Sequence, residues 1–164
     1  MAIINNINMK NFEPDEFSEN PNEFAHPLLL SNLQKYRNIL NEKIFPSKAT
    51  GSLARFDGSN TSLHYIETDT VLKENILQYE NLSKAVDCFF DTSIFHAWSV
   101  ALSCGLWGGV GVYFDTTYNS EIRPMLHLDT RKQNLIWYRY NGQYFYPIGK
   151  TFYMNLKSFF GIYE

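Results

Sequence analysis

Between Pro27 and Pro46 the apolar residues Leu29, Leu33, Tyr36, Leu40 and Ile44 recur at steps of three and four. That spacing is the period of a helix with a single apolar stripe; Pro27 suits its first turn and Pro46 closes it, so the run predicts a helix from Pro27 to Pro46. Such a stripe needs a second layer to cover it. The second half of the chain supplies one. Gly109 to Phe114, Ile122 to Asp129, Leu135 to Tyr140 and Gln143 to Ile148 are rich in β-formers, and Asn141-Gly142 between the last two is a hairpin signal.

Lys84 to Phe90 predicts a further strand. Asp91 or Thr92 would cap a helix reaching Leu106 through Ile94, Phe95, Trp98, Leu102 and Leu106. Asn11, ahead of the acidic Asp15 and Glu16, marks a short helix start, and Asp69 or Thr70 would cap a helix running to about Leu82. Thr151 to Tyr163 reads as a helix or a strand. Between Lys48 and Ile66 the pattern is short and irregular, as in strands and loops. Helices early and a strand meander late give an α+β fold, with N-terminal helices packed on a mainly antiparallel sheet. At 164 residues the chain, 1–164, suits one domain.

Composition then narrows the function classes. Lys and Arg number 14 against 17 Asp and Glu, a net charge of -3, so the basic footprint of a nucleic-acid binder is absent. The apolar stretch from Phe95 to Tyr113 contains His96, Ser99, Ser103 and four glycines and reads as buried elements, not as a membrane span. Met1 to Lys10 lacks a basic stretch, an apolar run and a small-residue cleavage site, so no signal peptide is expected. Cys88 and Cys104 are too few for a disulfide framework and fit no zinc-knuckle spacing.

The histidines divide into two kinds. His26, before Pro27, and His96, on an amphipathic helix, read as structural. His64 and His127 lie two residues from a polar partner in extended segments, as Ser62-Leu63-His64 and His127-Leu128-Asp129, which puts each pair on one strand face. Asp87 interrupts the apolar strand around Val86 and Phe89, and a carboxylate there needs a partner; alternation sends Cys88 to the opposite face. Two histidines and a carboxylate from separate elements satisfy a catalytic zinc centre with one position left for water, although a satisfied buried cluster uses the same residues.

These residues resemble the zinc D-Ala-D-Ala carboxypeptidase and L-alanyl-D-glutamate endopeptidase family, which has the hedgehog/DD-peptidase fold. Its pattern of Ser-x-His, then Gly-x-Ala-x-Asp, then a late His-x-Asp strand is similar to Ser62-Leu63-His64, Ser83-Lys84-Ala85-Val86-Asp87 and His127-Leu128-Asp129. Gly108-Gly109-Val110-Gly111-Val112-Tyr113 resembles the family's Gly-Gly-x-Gly-x-Tyr strand. Arg55 matches its substrate-binding arginine, and Asn11-Phe12 through Glu16-Phe17 is similar to the opening of its phage and bacterial members. The resemblance runs from about Asn11 to Trp137.

It implies that His64, Asp87 and His127 hold Zn2+, and that Arg55 binds a substrate carboxylate or polarises the scissile carbonyl. Ser62 and Tyr113 would support the site or touch substrate. Asp129 would serve as general base or orient the imidazole. The implied activity is hydrolysis of a peptide bond in peptidoglycan stem peptides, of the D-Ala-D-Ala or L-Ala-D-Glu type. The implied setting is synthesis in the cytoplasm and action at the cell wall after phage-mediated release or within a virion, with virion proteins as possible partners.

The chain departs from the pattern at three places. A long insertion separates His64 from Asp87, which leaves Asp69 as a nearer carboxylate outside any Ala-x-Asp context; Ser83 replaces a glycine; and Arg123-Pro124-Met125-Leu126 stands where members carry a catalytic acid. A second expectation is therefore a non-catalytic structural or binding domain that keeps the fold. The aromatic run Trp137, Tyr138, Tyr140, Tyr144 and Tyr146 reads as sheet packing, with peptide or sugar binding as the alternative.

Overall fold

The computed structural model describes residues 9–66 and 82–162. The expected helix between Asp69 and Leu82 lies outside these residues, apart from Leu82 itself.

The opening segment forms one 3-10 turn, Pro14–Glu16, and a single-turn helix α1, Pro21–Phe24. The turn is capped by Glu13 rather than by Asn11, through a reciprocal bond with Glu16. Helix α2 spans Pro27–Leu40 and not the whole run to Pro46. His26 caps its start, its Nδ1 accepting the Leu28 N–H at 3.0 Å, which confirms the structural reading of that residue. Asn41 ends it in the left-handed conformation at φ 55°, so Ile44 falls in strand β1, Ile44–Pro46. The apolar stripe is otherwise as read: Leu29, Leu30, Leu33 and Tyr36 are fully buried, and the Tyr36 hydroxyl donates to the Ala97 carbonyl at 2.6 Å.

The sheet has six strands in the order β1-β2-β6-β3-β7-β8. Here β2 is Ala85–Phe90, β3 Gly109–Tyr113, β6 Met125–Asp129, β7 Leu135–Tyr140 and β8 Gln143–Phe145, while β4 (Thr117–Tyr118) and β5 (Glu121–Ile122) form a separate hairpin. It is mixed and not a meander. β6 folds back between β2 and β3, and β3 pairs with β7 in parallel, whereas the other pairings are antiparallel.

Alternation along these strands gives the sheet two chemically different faces. Val86, Cys88 and Phe90, Val110 and Val112, Leu126 and Leu128, and Tyr138 join α2 in the main core. Helices α3, Ile94–Ser103, and α4, Gly149–Ile162, close over it. Ser93, not Asp91 or Thr92, caps α3 by accepting the His96 N–H; its inward face is Ile94, Ala97 and Ala101, with Phe95 and Leu102 exposed. The C-terminal segment is a helix because Phe152, Leu156 and Phe160, at steps of four, all bury; each such side chain contributes roughly 1.5–3 kcal/mol when fully buried. The opposite face carries Phe89, Tyr113, Met125 and Trp137 as a smaller cluster, together with Asp87, His127 and Asp129. Among the described residues, no helix is long and apolar enough to cross a membrane.

Candidate metal centre

Sheet register sets two of the three converging side chains. Asp87 on β2 lies directly opposite His127 on β6, and His127 lies opposite Gly111 on β3. The third comes from outside the sheet. His64 sits in a turn and not in an extended strand, just before the isolated bridge of Arg55 with Tyr65. Its place is fixed by its backbone carbonyl, which accepts the Arg55 N–H at 2.7 Å, and by its ring Nδ1, 3.3 Å from the Leu53 carbonyl. Ser62, half-buried, accepts the His64 N–H at 3.4 Å and so supports the turn without touching the ring.

Asp87, His64 and His127 are 5%, 3% and 6% exposed, so each must satisfy its polar atoms within the protein. His64 Nε2 lies 3.1 Å from His127 Nδ1 and 3.5 Å from Asp87 Oδ1, and His127 Nδ1 lies 3.0 Å from Asp87 Oδ1. The three atoms form a nearly equilateral triangle close enough to hold a metal ion. Edges of this length suit a tetrahedral site with bonds near 2.0–2.1 Å, whose ligand atoms stand about 3.3 Å apart.

The far nitrogens of both rings strengthen that fit. His127 Nε2 faces Asp129 Oδ2 at 3.1 Å, and His64 Nδ1 faces the Leu53 carbonyl. With those nitrogens donating, each neutral ring turns a lone pair towards the Asp87 carboxylate, and three acceptors meet with no donor among them; metal-binding histidines are held in this way.

Burial and charge pull these groups in opposite directions. Burial alone would raise the Asp87 carboxyl, but the imidazoles of His64 and His127 hold it far below the usual carboxylate range. Burial also works to raise Asp129, and is outweighed by His127 and Arg131, which bring it down to about 2. For His127 burial works downward, yet its bonds to Asp129 and Asp87 lift it to about 9. With His127 protonated, it and the Arg131 guanidinium offset the Asp87 and Asp129 carboxylates; with His127 neutral, one negative charge is left for a cation to balance.

Asp129 is fully buried. Arg131 grips it through Nε at 2.8 and 2.9 Å, through its terminal nitrogen at 2.5 Å and through its backbone N–H at 3.0 Å. Its carboxylate faces the side of the His127 ring away from the triangle. Of the two roles left open by the sequence, this placement fits the orienting one.

The glycine pattern of β3 has a steric cause. A Cβ on Gly109 would stand 2.2 Å from Asp129 Oδ2, and one on Gly111 would stand 2.3 Å from Trp137 Cε2. The bare backbone therefore admits the Asp129 carboxylate and lets the Trp137 indole lie over β3, with its centroid 5.1 Å from that of His127. Tyr113 stacks beside the same imidazole at 6.2 Å.

The triangle lies at the floor of a cleft of about 400 Å³, bordered by Ser52, Arg55, Ser62, Tyr113, Asp115 and Arg139. Arg55 is exposed and its Nε donates to the Gly51 carbonyl at 3.2 Å. The structure thus brings together His64, Asp87, His127, Arg55, Ser62, Tyr113 and Asp129. His96 is exposed on α3, and Cys88 is buried on the far face of β2. The aromatic run divides by alternation: Tyr138 and Tyr140 pack on Phe159 of α4, whereas Trp137, Tyr144 and Tyr146 line a smaller cleft of about 140 Å³ that shares His127 and Tyr144 with the first.

Sequence reasoning missed three supporting residues. Arg131 was signalled only by its distance of two residues from Asp129 along the chain. Ser83, fully buried, donates to the Leu53 carbonyl and binds the ends of two loops together, a role the glycine of the family pattern could not fill. Glu19 had no signal at all. Comparison of the chain with family models, curated proteins and solved structures finds no match.

Proposed function

We propose that the protein is a zinc-dependent peptidase of the hedgehog/DD-peptidase kind, acting on the stem peptides of peptidoglycan. The observation that carries this reading is the convergence of three lone-pair atoms at tetrahedral spacing, with both imidazoles held from behind, on the floor of an open cleft. The donor set favours zinc: two imidazole nitrogens and a carboxylate oxygen make the three-ligand set of catalytic zinc sites, which keep a fourth position for water or substrate.

When bound, zinc supplies Lewis-acid polarisation of a carbonyl and a water acidic enough to react near neutral pH. The chain does the rest. Asp129 keeps the Nε2 proton on His127 and thereby fixes which nitrogen faces the cleft. Arg55 offers a guanidinium at the cleft wall for a peptide carboxylate, and Tyr113 walls the imidazole from solvent.

One observation favours a metal-binding domain without turnover. Besides Asp87, Asp115 is the carboxylate bordering the cleft among the described residues, and it is occupied by Arg139 at 2.8 Å and the Gly142 N–H at 2.6 Å. The two readings separate in one experiment. Elemental analysis of protein purified without a metal-binding tag should give about one zinc per chain, and the protein should release fragments from purified muropeptides, with both lost in His127→Ala. Zinc without hydrolysis selects the non-catalytic domain. Hydrolysis retained in His127→Ala would sink the metal mechanism.

A further inference from the structure

Every part of the centre that does not sit in the sheet hangs from the segment Gly51 to Arg55. The Ser52 carbonyl accepts the Asp87 N–H at 3.1 Å, the Leu53 carbonyl faces His64 Nδ1, and the Gly51 carbonyl accepts Arg55 Nε. Three consecutive carbonyls therefore each meet a group of the site: the Arg55 side chain, the Asp87 backbone and the His64 ring. No helix or strand holds this segment.

The Arg55–Tyr65 bridge and the Ser83 hydroxyl hold its end, and the amides of its middle are held by one carboxylate from the N-terminal segment. Glu19 Oε1 accepts the Gly51 N–H at 2.7 Å, and Oε2 accepts those of Ala54 at 2.9 Å and Leu53 at 3.2 Å. Ser18 completes the clamp: its hydroxyl donates to Glu19 Oε2, and its Oγ also lies 3.2 Å from the Leu53 nitrogen. A carboxylate taking several N–H groups forms charge-assisted bonds, about twice as strong as neutral ones. The Leu53 and Ala54 N–H groups share their peptide planes with the Ser52 and Leu53 carbonyls, so fixing those two amides fixes the two carbonyls.

We propose that Glu19 is the positioning residue of the metal centre. It touches no ligand, and it sets the Leu53 carbonyl that faces the His64 ring and the Ser52 carbonyl that accepts the Asp87 N–H. The inference rests on the metal reading of the His64, Asp87 and His127 cluster.

The test is metal titration of the whole chain, with zinc for affinity and cobalt(II) for the visible spectrum, in wild type, Glu19→Gln, Ser18→Ala and Tyr36→Phe. Tyr36→Phe removes a buried hydrogen bond to Ala97 far from the segment and serves as the stability control. Glu19→Gln should bind zinc about 10–100-fold more weakly, the range for loss of a group supporting a metal ligand, and its cobalt spectrum should change even at saturation. Ser18→Ala should weaken binding less, and Tyr36→Phe should leave affinity and spectrum as in wild type.

Wild-type affinity and spectrum in Glu19→Gln would overturn the role of Glu19 and leave the metal reading intact. Absence of any metal uptake by wild type would overturn the metal reading and the inference with it. If Glu19→Gln does not fold, Ser18→Ala decides: unchanged affinity and spectrum there also overturn the proposal.

Discussion

Replacing Gly109 by alanine adds one methyl group to a strand, and the surroundings of that methyl make the outcome calculable. The new Cβ would stand 2.2 Å from Asp129 Oδ2 and 2.5 Å from its Cγ and Oδ1, where ordinary contact begins near 3.4 Å. The carboxylate would have to retreat by about 1 Å. It has nowhere to go, because it is fully buried and held by the Arg131 side chain, the Arg131 N–H and His127 Nε2. Overpacking costs roughly 1–3 kcal/mol and each weakened hydrogen bond to a charged group about 1.5–3 kcal/mol, so the destabilisation should reach about 3–5 kcal/mol. Against a total stability of about 5–15 kcal/mol this is a large fraction. Urea unfolding followed by tryptophan fluorescence measures it, with Gly161→Ala, whose Cβ meets nothing within 4 Å, as the matched substitution. A loss below about 1 kcal/mol for Gly109→Ala would refute the claim that this glycine exists to admit the carboxylate.

The role of Asp129 is separable from that of a base: Asp129→Asn should lower zinc affinity by about 10–100-fold while turnover at saturating metal is largely kept, whereas unchanged affinity with collapsed turnover would make Asp129 the base. Acid stability follows from Glu19, whose carboxyl burial alone would raise but which the Ser18 hydroxyl and the N–H groups of Gly51, Ala54 and Leu53 hold below its ordinary value. A lowered folded value contributes stability that is whole above the unfolded value of about 4.3 and lost as pH falls through the folded one. The stability gap between wild type and Glu19→Gln should therefore narrow between pH 6 and pH 3 in urea titrations, and a constant gap would refute it.

Much of this site was legible because strands print their geometry on the sequence. In His127-Leu128-Asp129 the period of two places both polar residues on one face, and in Ala85 to Phe90 the lone Asp87 marks the face that cannot be ordinary core. Helix α2 was legible for the same reason at a different period, up to Asn41, where one residue in the left-handed conformation turned the last apolar position into a strand. The inward face of α3 was misread because small alanines, not the large Phe95 and Leu102, fit against the sheet. Strand order was not legible, since nothing in β6 announces that it enters between β2 and β3. Glu19 was hidden for a deeper reason: its partners are backbone N–H groups, which every residue but proline carries and no residue type signals.

The bland alternative to a metal centre is a buried cluster satisfied by protons alone, and the two differ in what they require of His127 Nδ1. In a proton-only cluster a charged His127 donates from Nδ1 to Asp87 and from Nε2 to Asp129, and His64 Nε2, 3.1 Å from the same Nδ1, is an acceptor competing for a proton already given to Asp87. One proton cannot lie fully along both lines, so His64 Nε2 gains a partner only by carrying a second proton to Asp87 at 3.5 Å, which buries a further charge. A cation at the centre of the triangle meets all three lone pairs at once and leaves the Nε2 proton to Asp129 and the Nδ1 proton of His64 to Leu53. The arrangement behind the rings is identical in both cases. Zinc uptake that releases protons from the cluster would mark the metal reading, and a chain that takes up none would leave the proton-satisfied cluster.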